Sequence, residues 1–152
     1  DVLPRDRLDR HPRAVVVPTL EMEKNMKISL NKIAAILAFT IGAMAVFAGG
    51  QVLLGKVPDY YVINWLPVYN YTLGILTVFV TAALIWTKHR LALPVAIATF
   101  GIHALVMLVL QTAYRDVVAM DSVVAMTVRM TVWIIILALM YFGSQKSKMV
   151  AA

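Results

Sequence analysis

Residues 33–54 read IAAILAFTIGAMAVFAGGQVLL, and this uncharged run decides the fold. A helix needs about 20 apolar residues to cross the ~30 Å hydrocarbon core of a bilayer, and the run is long enough to supply them. Further apolar runs lie at about residues 68–87, 91–113 and 121–142. Transmembrane strands are about half as long and alternate in polarity, unlike these runs. The sequence therefore predicts an all-α membrane protein, a bundle of four transmembrane helices.

The composition agrees with a lipid environment. The 152 residues are 61% hydrophobic and 14% charged, whereas about 25% of the residues in a soluble domain are charged. The net charge is +6, and most of the basic residues flank the apolar runs or lie near the N-terminus. The lipid bilayer explains them better than nucleic acid does, so we expect no nucleic-acid partner. The absence of cysteine excludes disulfides, thiolate nucleophiles and iron–sulfur clusters.

The chain divides into a tail, a membrane domain and a second short tail. Residues 1–27 are rich in arginine and interrupted by Pro4, Pro12 and Pro18, which predicts a disordered basic N-terminal tail. A basic arm held on anionic lipid headgroups is the alternative. Residues 28–145 form the predicted four-helix transmembrane domain, and residues 146–152 form the C-terminal tail.

The distribution of basic residues predicts the orientation. Seven Lys or Arg precede the first span, and two each lie in the loop at 88–90 and after residue 145. The other two loops have one each, Lys56 and Arg115. By the positive-inside rule both termini are cytoplasmic. We expect a multi-pass protein of the cell inner (plasma) membrane.

Two patterns on the first hairpin predict packing and membrane depth. Small residues in the first span repeat at intervals of four, which favours close helix packing in lipid; they are Ala34, Ala38 and Gly42, then Ala45 and Gly49. The loop that follows is rich in aromatic residues, with Tyr60, Tyr61, Trp65, Tyr69 and Tyr71. Such rings favour the headgroup layer, which predicts an interfacial belt; a ligand-binding lid is the alternative.

Polar residues inside the third and fourth spans form a candidate site. His103 and Gln111 lie on the third span, and Asp121 and Arg129 lie on the fourth. In an antiparallel hairpin His103 lies at the depth of Arg129, and Gln111 at the depth of Asp121. On the third span His103 and Gln111 are eight residues apart, and on the fourth span so are Asp121 and Arg129, which keeps the two residues of each helix on one face. Trp133, four residues after Arg129, shares that face. These residues predict a polar seam between the two helices.

Arg129 is the residue of this seam that costs the most free energy to place inside the membrane. A charge at mid-membrane costs about 2.5–3.5 kcal/mol on insertion scales, so Arg129 should face protein or water. The partners we consider are Asp121, Asp116, Gln111, backbone carbonyls and an anionic ligand. Trp133 could cover the guanidinium by a cation–π contact. One interpretation is structural, with Arg129 reaching outward and His103 fixing helix packing; the other is a binding site for a quinone head group, an anion or a proton.

Several other chemistries find no support in the sequence. Haem with two histidine ligands needs a second His at the depth of His103, but His89 lies at the membrane edge and His11 in the tail. Haem with an axial Met107 or Met126 stays open, but no residue pattern supports it. No metal-ligand spacing, phosphate loop or hydrolase nucleophile elbow occurs. We expect no catalytic residues and no haem, and the cofactor stays open, with a quinone as one candidate for the His103 and Arg129 pair.

Two segments of the first hairpin resemble those of the DoxX-like group of small four-helix bacterial membrane proteins. They are AGG at 48–50 and LLGK at 53–56. That group has been linked with quinol oxidase assemblies and other redox partners. The resemblance implies a similar redox-linked role here and assigns no residue.

Three functions remain open from the sequence. The first is an accessory or assembly subunit of a larger membrane complex, since four short helices leave little room for a large site. The second is a small oligomeric transporter or channel with His103 and Arg129 on a polar path. The third is a quinone-reactive redox subunit that binds the head group with the same pair.

Overall fold

A computed structural model gives the backbone of residues 17–56, 58–59 and 63–149 and the side chains of residues 30–56, 58–59 and 63–145. This part of the chain is helical and contains four helices long and apolar enough to cross a membrane, which confirms the predicted helical fold class. The helices are α1 (Val17–Leu53), α2 (Leu66–Trp86), α3 (Ala92–Thr112) and α4 (Met120–Met149).

Helices α1 and α4 extend beyond the spans that the sequence predicts. Helix α1 begins at Val17, so residues 17–27 of the predicted tail are helical in the structure. Pro18 is tolerated there because the first turn of a helix leaves its N–H groups unpaired. The apolar part of α1 begins at Leu30. The rest of the predicted N-terminal tail, residues 1–16, lies outside the described residues.

Successive helices run antiparallel. The Lys32 ammonium lies 5.6 Å from the centre of the Trp86 ring, which places the start of the apolar part of α1 beside the end of α2. The rings of Trp65 and Tyr114 lie 6.0 Å apart, so the start of α2 meets the end of α3.

The C-terminal half of α4 lies beside the start of the apolar part of α1. A Cβ added at Gly143 would lie 3.2 Å from Asn31 Oδ1. Asn31, Gly143 and the loop residues Lys88, His89 and Arg90 also line one cleft. We call this side of the bundle the basic end. It carries the 88–90 loop. From this side α1 leads toward the N-terminus and α4 leads toward the C-terminus.

The small residues of α1 pack against α2 of the same chain. A Cβ added at Gly74 would lie 2.8 Å from Val46 N and 2.9 Å from Gly42 O. One added at Gly49 would lie 2.7 Å from Pro67 O. These distances are too short for a side chain, so the two backbones are in direct contact, as small-residue patterns allow in lipid.

A π-helical turn at Thr77–Thr81 interrupts α2. Buried positions on both sides of it recur at intervals of four, at Leu73, Thr77, Thr81 and Ile85. In a regular α-helix this interval drifts by about 40° per step. The wider π turn takes up part of the drift, so both halves of α2 face the bundle. The Thr81 hydroxyl also lies 3.4 Å from the Thr99 hydroxyl of α3.

Candidate functional site

A polar cluster lies inside the bundle and consists of Tyr69 and Asn70 from α2, His103 from α3, and Arg129 and Trp133 from α4. Buried apolar side chains close it along the helix axes. They are Ile85, Ala96 and Ile136 toward the basic end, and Leu66, Leu110 and Met126 toward the opposite end. The polar cluster is therefore enclosed within the bundle and does not form a continuous seam that opens at one end.

Arg129 is held by uncharged groups. Its side chain is 8% exposed. Nη1 donates a hydrogen bond of 2.8 Å to Asn70 Oδ1 and contacts Met126 Sδ at 3.4 Å. Of the partners considered from the sequence, neither the carboxylates of Asp116 and Asp121 nor the amide of Gln111 has this role. An amide oxygen accepts the charged hydrogen bond without neutralising the charge.

His103 is held by Tyr69. The Tyr69 hydroxyl and His103 Nδ1 form a hydrogen bond that joins α2 to α3. The two rings meet nearly at right angles, with centres 5.9 Å apart. Tyr69 therefore points into the bundle, whereas the aromatic pattern places it in an interfacial belt. Tyr71 is exposed, as a belt residue would be; Tyr60 and Tyr61 lie outside the described residues.

Trp133 packs against His103. It is fully buried, and its ring lies 6.1 Å from the His103 ring at a tilt of 40°. The predicted cation–π contact with Arg129 does not form. The cation–π pair among the described side chains is Lys32 with Trp86. Within the part of the chain that the structure describes, Trp133 Nε1 is buried without a hydrogen-bond partner, and so is Arg129 Nε.

Gln111 and Asp121 do not join the polar cluster. Both are exposed, and Gln111 lines a surface cleft near Arg115 and Met120. Asp121 lies in the first turn of α4, where a negative charge favours the helix dipole. The structure therefore brings together His103, Arg129 and Trp133 of the five predicted site residues, with Tyr69 and Asn70 as partners from α2.

The partners from α2 are the residues that sequence reasoning missed. Asn70 lies within two residues of the start of the predicted second span and has no spacing that indicates a chemistry. The signal that could have found it is energetic. An amide in an apolar span needs a partner on another helix, and Arg129 needs an acceptor.

A small cavity touches His103, Arg129, Trp133, Asn70 and Thr77. Its volume is ≈ 10 Å³, which is about the least that holds one water molecule. Pockets for organic ligands usually measure about 300–1,000 Å³. A quinone ring does not fit between His103 and Arg129 in this conformation.

The described residues contain no group of three or more metal-ligating side chains. Met126, one of the two candidate axial ligands for haem, contacts Arg129 Nη1. The contacts of the polar cluster are hydrogen bonds and ring packing around the Arg129 guanidinium.

No family model, no curated protein and no solved structure matches this chain. The structure itself supports a four-helix protein compatible with multiple membrane crossings, with one arginine enclosed among neutral partners. The resemblance to the DoxX-like group stays a prediction.

The hydrogen bond between Tyr69 and His103 gives a first prediction. We expect Tyr69→Phe to lower the free energy of unfolding by about 1 kcal/mol, because it leaves a buried imidazole without its partner. The matched control is Tyr71→Phe, two residues away and exposed, which we expect to change stability by less than about 0.5 kcal/mol. Titration of purified protein with SDS in mixed micelles measures both. Equal losses in the two variants would contradict the assigned hydrogen bond.

Proposed function

We propose that this chain is an accessory or assembly subunit of a larger membrane complex. It spans the inner membrane four times, with the basic end and both termini in the cytoplasm. The charge distribution supports this orientation, since the basic end carries Lys88 and Arg90 together with the basic segments that lead to the termini. Apolar side chains exposed on all four helices support insertion into lipid, among them Phe47, Phe79, Leu105 and Ile134.

The observation that carries the proposed role is the contrast between the interior and the surface. The cavity in the polar cluster measures ≈ 10 Å³ and is too small for an organic substrate, whereas a lateral groove of ≈ 410 Å³ opens between α1 and α2. Ala35, Ala82 and Ala83 line the groove, and Phe39 and Trp86 stand at its sides. Small residues let another helix approach closely in lipid. A transmembrane helix of a partner protein is therefore the occupant that this groove fits.

A photo-crosslinking experiment tests this role. A benzophenone amino acid replaces Phe39 in the groove, and the matched control carries it at Leu105, an exposed position on α3. After irradiation of intact membranes, we expect Phe39 to give one protein adduct that the Leu105 variant does not give. Intact-mass measurement of the gently extracted assembly should then show the same partner in fixed stoichiometry. Adducts with lipid only, or with a second copy of this chain only, would contradict the proposal.

The resemblance to the DoxX-like group supports a redox-linked complex as the partner. A quinone bound by His103 and Arg129 would require the bundle to open, since the cavity beside them measures ≈ 10 Å³. Retention of quinone by the extracted assembly but not by the isolated chain is the result that fits a redox partner. A quinone retained by the isolated chain would instead assign the binding site to this subunit.

A small oligomeric transporter or channel is the second candidate. The observation that favours it is the charge of Arg129, which has neutral partners inside the bundle, because uncompensated intramembrane charges often mark ion pathways. A transporter should be a symmetric homo-oligomer and should move a solute in reconstituted vesicles. A flux that depends on Arg129 would favour this candidate over the accessory role.

A further inference from the structure

Among the residues whose side chains the structure describes, none with a negative charge contacts Arg129. The side chain is 8% exposed, Nη1 contacts the Asn70 amide oxygen and the Met126 thioether, and the Tyr69 hydroxyl also lies beside the guanidinium. A buried charge is costly unless a group of opposite charge or several hydrogen bonds compensate it. Neutral partners satisfy part of the guanidinium and leave its charge in place.

Two buried N–H donors beside the same cavity also lack acceptors. Arg129 Nε and Trp133 Nε1 have no hydrogen-bond partner among the described side chains, and both residues line the ≈ 10 Å³ cavity. Asn70 Oδ1 already accepts from Arg129, and His103 Nδ1 is bonded to Tyr69, so the Tyr69 hydroxyl oxygen beside Arg129 is the neighbouring acceptor that keeps free lone pairs. A ligand placed here meets donors and a positive charge. A water molecule would accept from the donors and then need acceptors for its own protons, whereas an anion only accepts.

We propose that the polar cluster binds one small monovalent anion of the halide type, held by Arg129 and Trp133. The cavity is the size of about one water molecule, so a single-atom ion fits with a slight outward movement of the side chains. Polyatomic anions such as sulfate exceed the space. The bound ion neutralises Arg129 and accepts from both free donors. The site is independent of the lateral groove and of any partner protein.

Bromide quenching of Trp133 fluorescence tests direct contact. The chain has three tryptophans, so the reporter variant carries Trp65→Phe and Trp86→Phe and keeps Trp133. In detergent, at constant ionic strength set by gluconate, we expect quenching that saturates with bromide concentration and that chloride reverses by competition. Quenching that rises linearly without saturation, or that chloride does not reverse, would overturn the proposal.

Thermal unfolding of the unmodified chain gives a second readout. Replacing gluconate by 100 mM chloride should raise the unfolding midpoint by about 3 °C, because the ion binds the folded state only. The rise should disappear in Trp133→Phe, which removes one donor and keeps a ring in place. It should persist in Arg115→Gln, which removes an exposed surface charge. An equal rise in all three proteins would assign the effect to surface charges and overturn the proposal.

Arg129→Gln removes the positive charge that attracts the proposed anion. We expect this variant to lose the saturable response to chloride. If it does not fold, Trp133→Phe and the bromide titration still decide the question, since neither requires a change at Arg129. A folded Arg129→Gln protein that keeps the full chloride response would exclude Arg129 as the anion ligand.

Discussion

We expect Arg129→Ala to lower the free energy of unfolding by about 3 kcal/mol. Truncating a long buried side chain leaves a cavity, which typically costs about 2–5 kcal/mol for residues of this size. It also leaves the Asn70 amide without its donor. The cost is large because Arg129 contacts α2 from α4 and joins two helices that are not neighbours along the chain. SDS titration in mixed micelles measures it.

Two companion variants separate the causes of this loss. Arg129→Met keeps most of the volume and removes the donor, so we expect a smaller loss of about 1–2 kcal/mol from the unpaired amide. Arg115→Ala removes an exposed arginine and should stay within about 0.5 kcal/mol of the original protein. An Arg129→Ala protein as stable as Arg115→Ala would mean that Arg129 faces the surface.

Gly74→Ala gives the second large effect. The added Cβ would lie 2.8 Å from Val46 N and 2.9 Å from Gly42 O, and these backbone atoms cannot move aside as a flexible side chain can. We expect α1 and α2 to separate and the free energy of unfolding to fall by about 2–3 kcal/mol, the upper range for overpacked cores. Thermal or SDS unfolding of the purified protein measures the change.

Gly101 provides a matched control for Gly74. It is also a helical glycine, but a Cβ added there meets nothing within 4 Å. Gly101→Ala should be neutral or stabilising by up to about 1 kcal/mol, since alanine has the higher helix propensity. Similar losses in Gly74→Ala and Gly101→Ala would contradict the close contact of α1 and α2.

The helices themselves could be predicted from the sequence because each is a continuous apolar run of the length that a bilayer requires. The residues at which α1 begins and α4 ends were harder to predict. Apolarity marks where a helix enters lipid, whereas the helix continues through polar residues such as those at 17–29 for as long as its backbone hydrogen bonds persist. The small residues of α1 predicted a close contact, but their pattern could not name α2 as the neighbour.

Three residues of the polar cluster were among the candidates from the sequence, namely His103, Arg129 and Trp133. The residues that complete the cluster were not. Equal depth on an antiparallel hairpin correctly related His103 to Arg129, which line one cavity. The same argument placed Gln111 and Asp121 on the faces of His103 and Arg129, but both are exposed. An interval of eight residues turns a side chain by about 80° from its starting direction in an α-helix. The partners from α2, Tyr69 and Asn70, depend on how a third helix packs against the pair. The spacing of residues along one helix does not show how another helix packs against it.

The most direct test of the polar cluster is a double-mutant cycle between Arg129 and Asn70, with Arg129→Met and Asn70→Leu measured singly and together by SDS unfolding. Because replacing both partners by apolar side chains removes the unpaired group that each single change leaves, the double variant should be more stable than Arg129→Met alone, and the coupling should be about 1–2 kcal/mol. Losses that add to within about 0.5 kcal/mol would show that Arg129 and Asn70 do not interact and would contradict a polar cluster that joins α2 to α4.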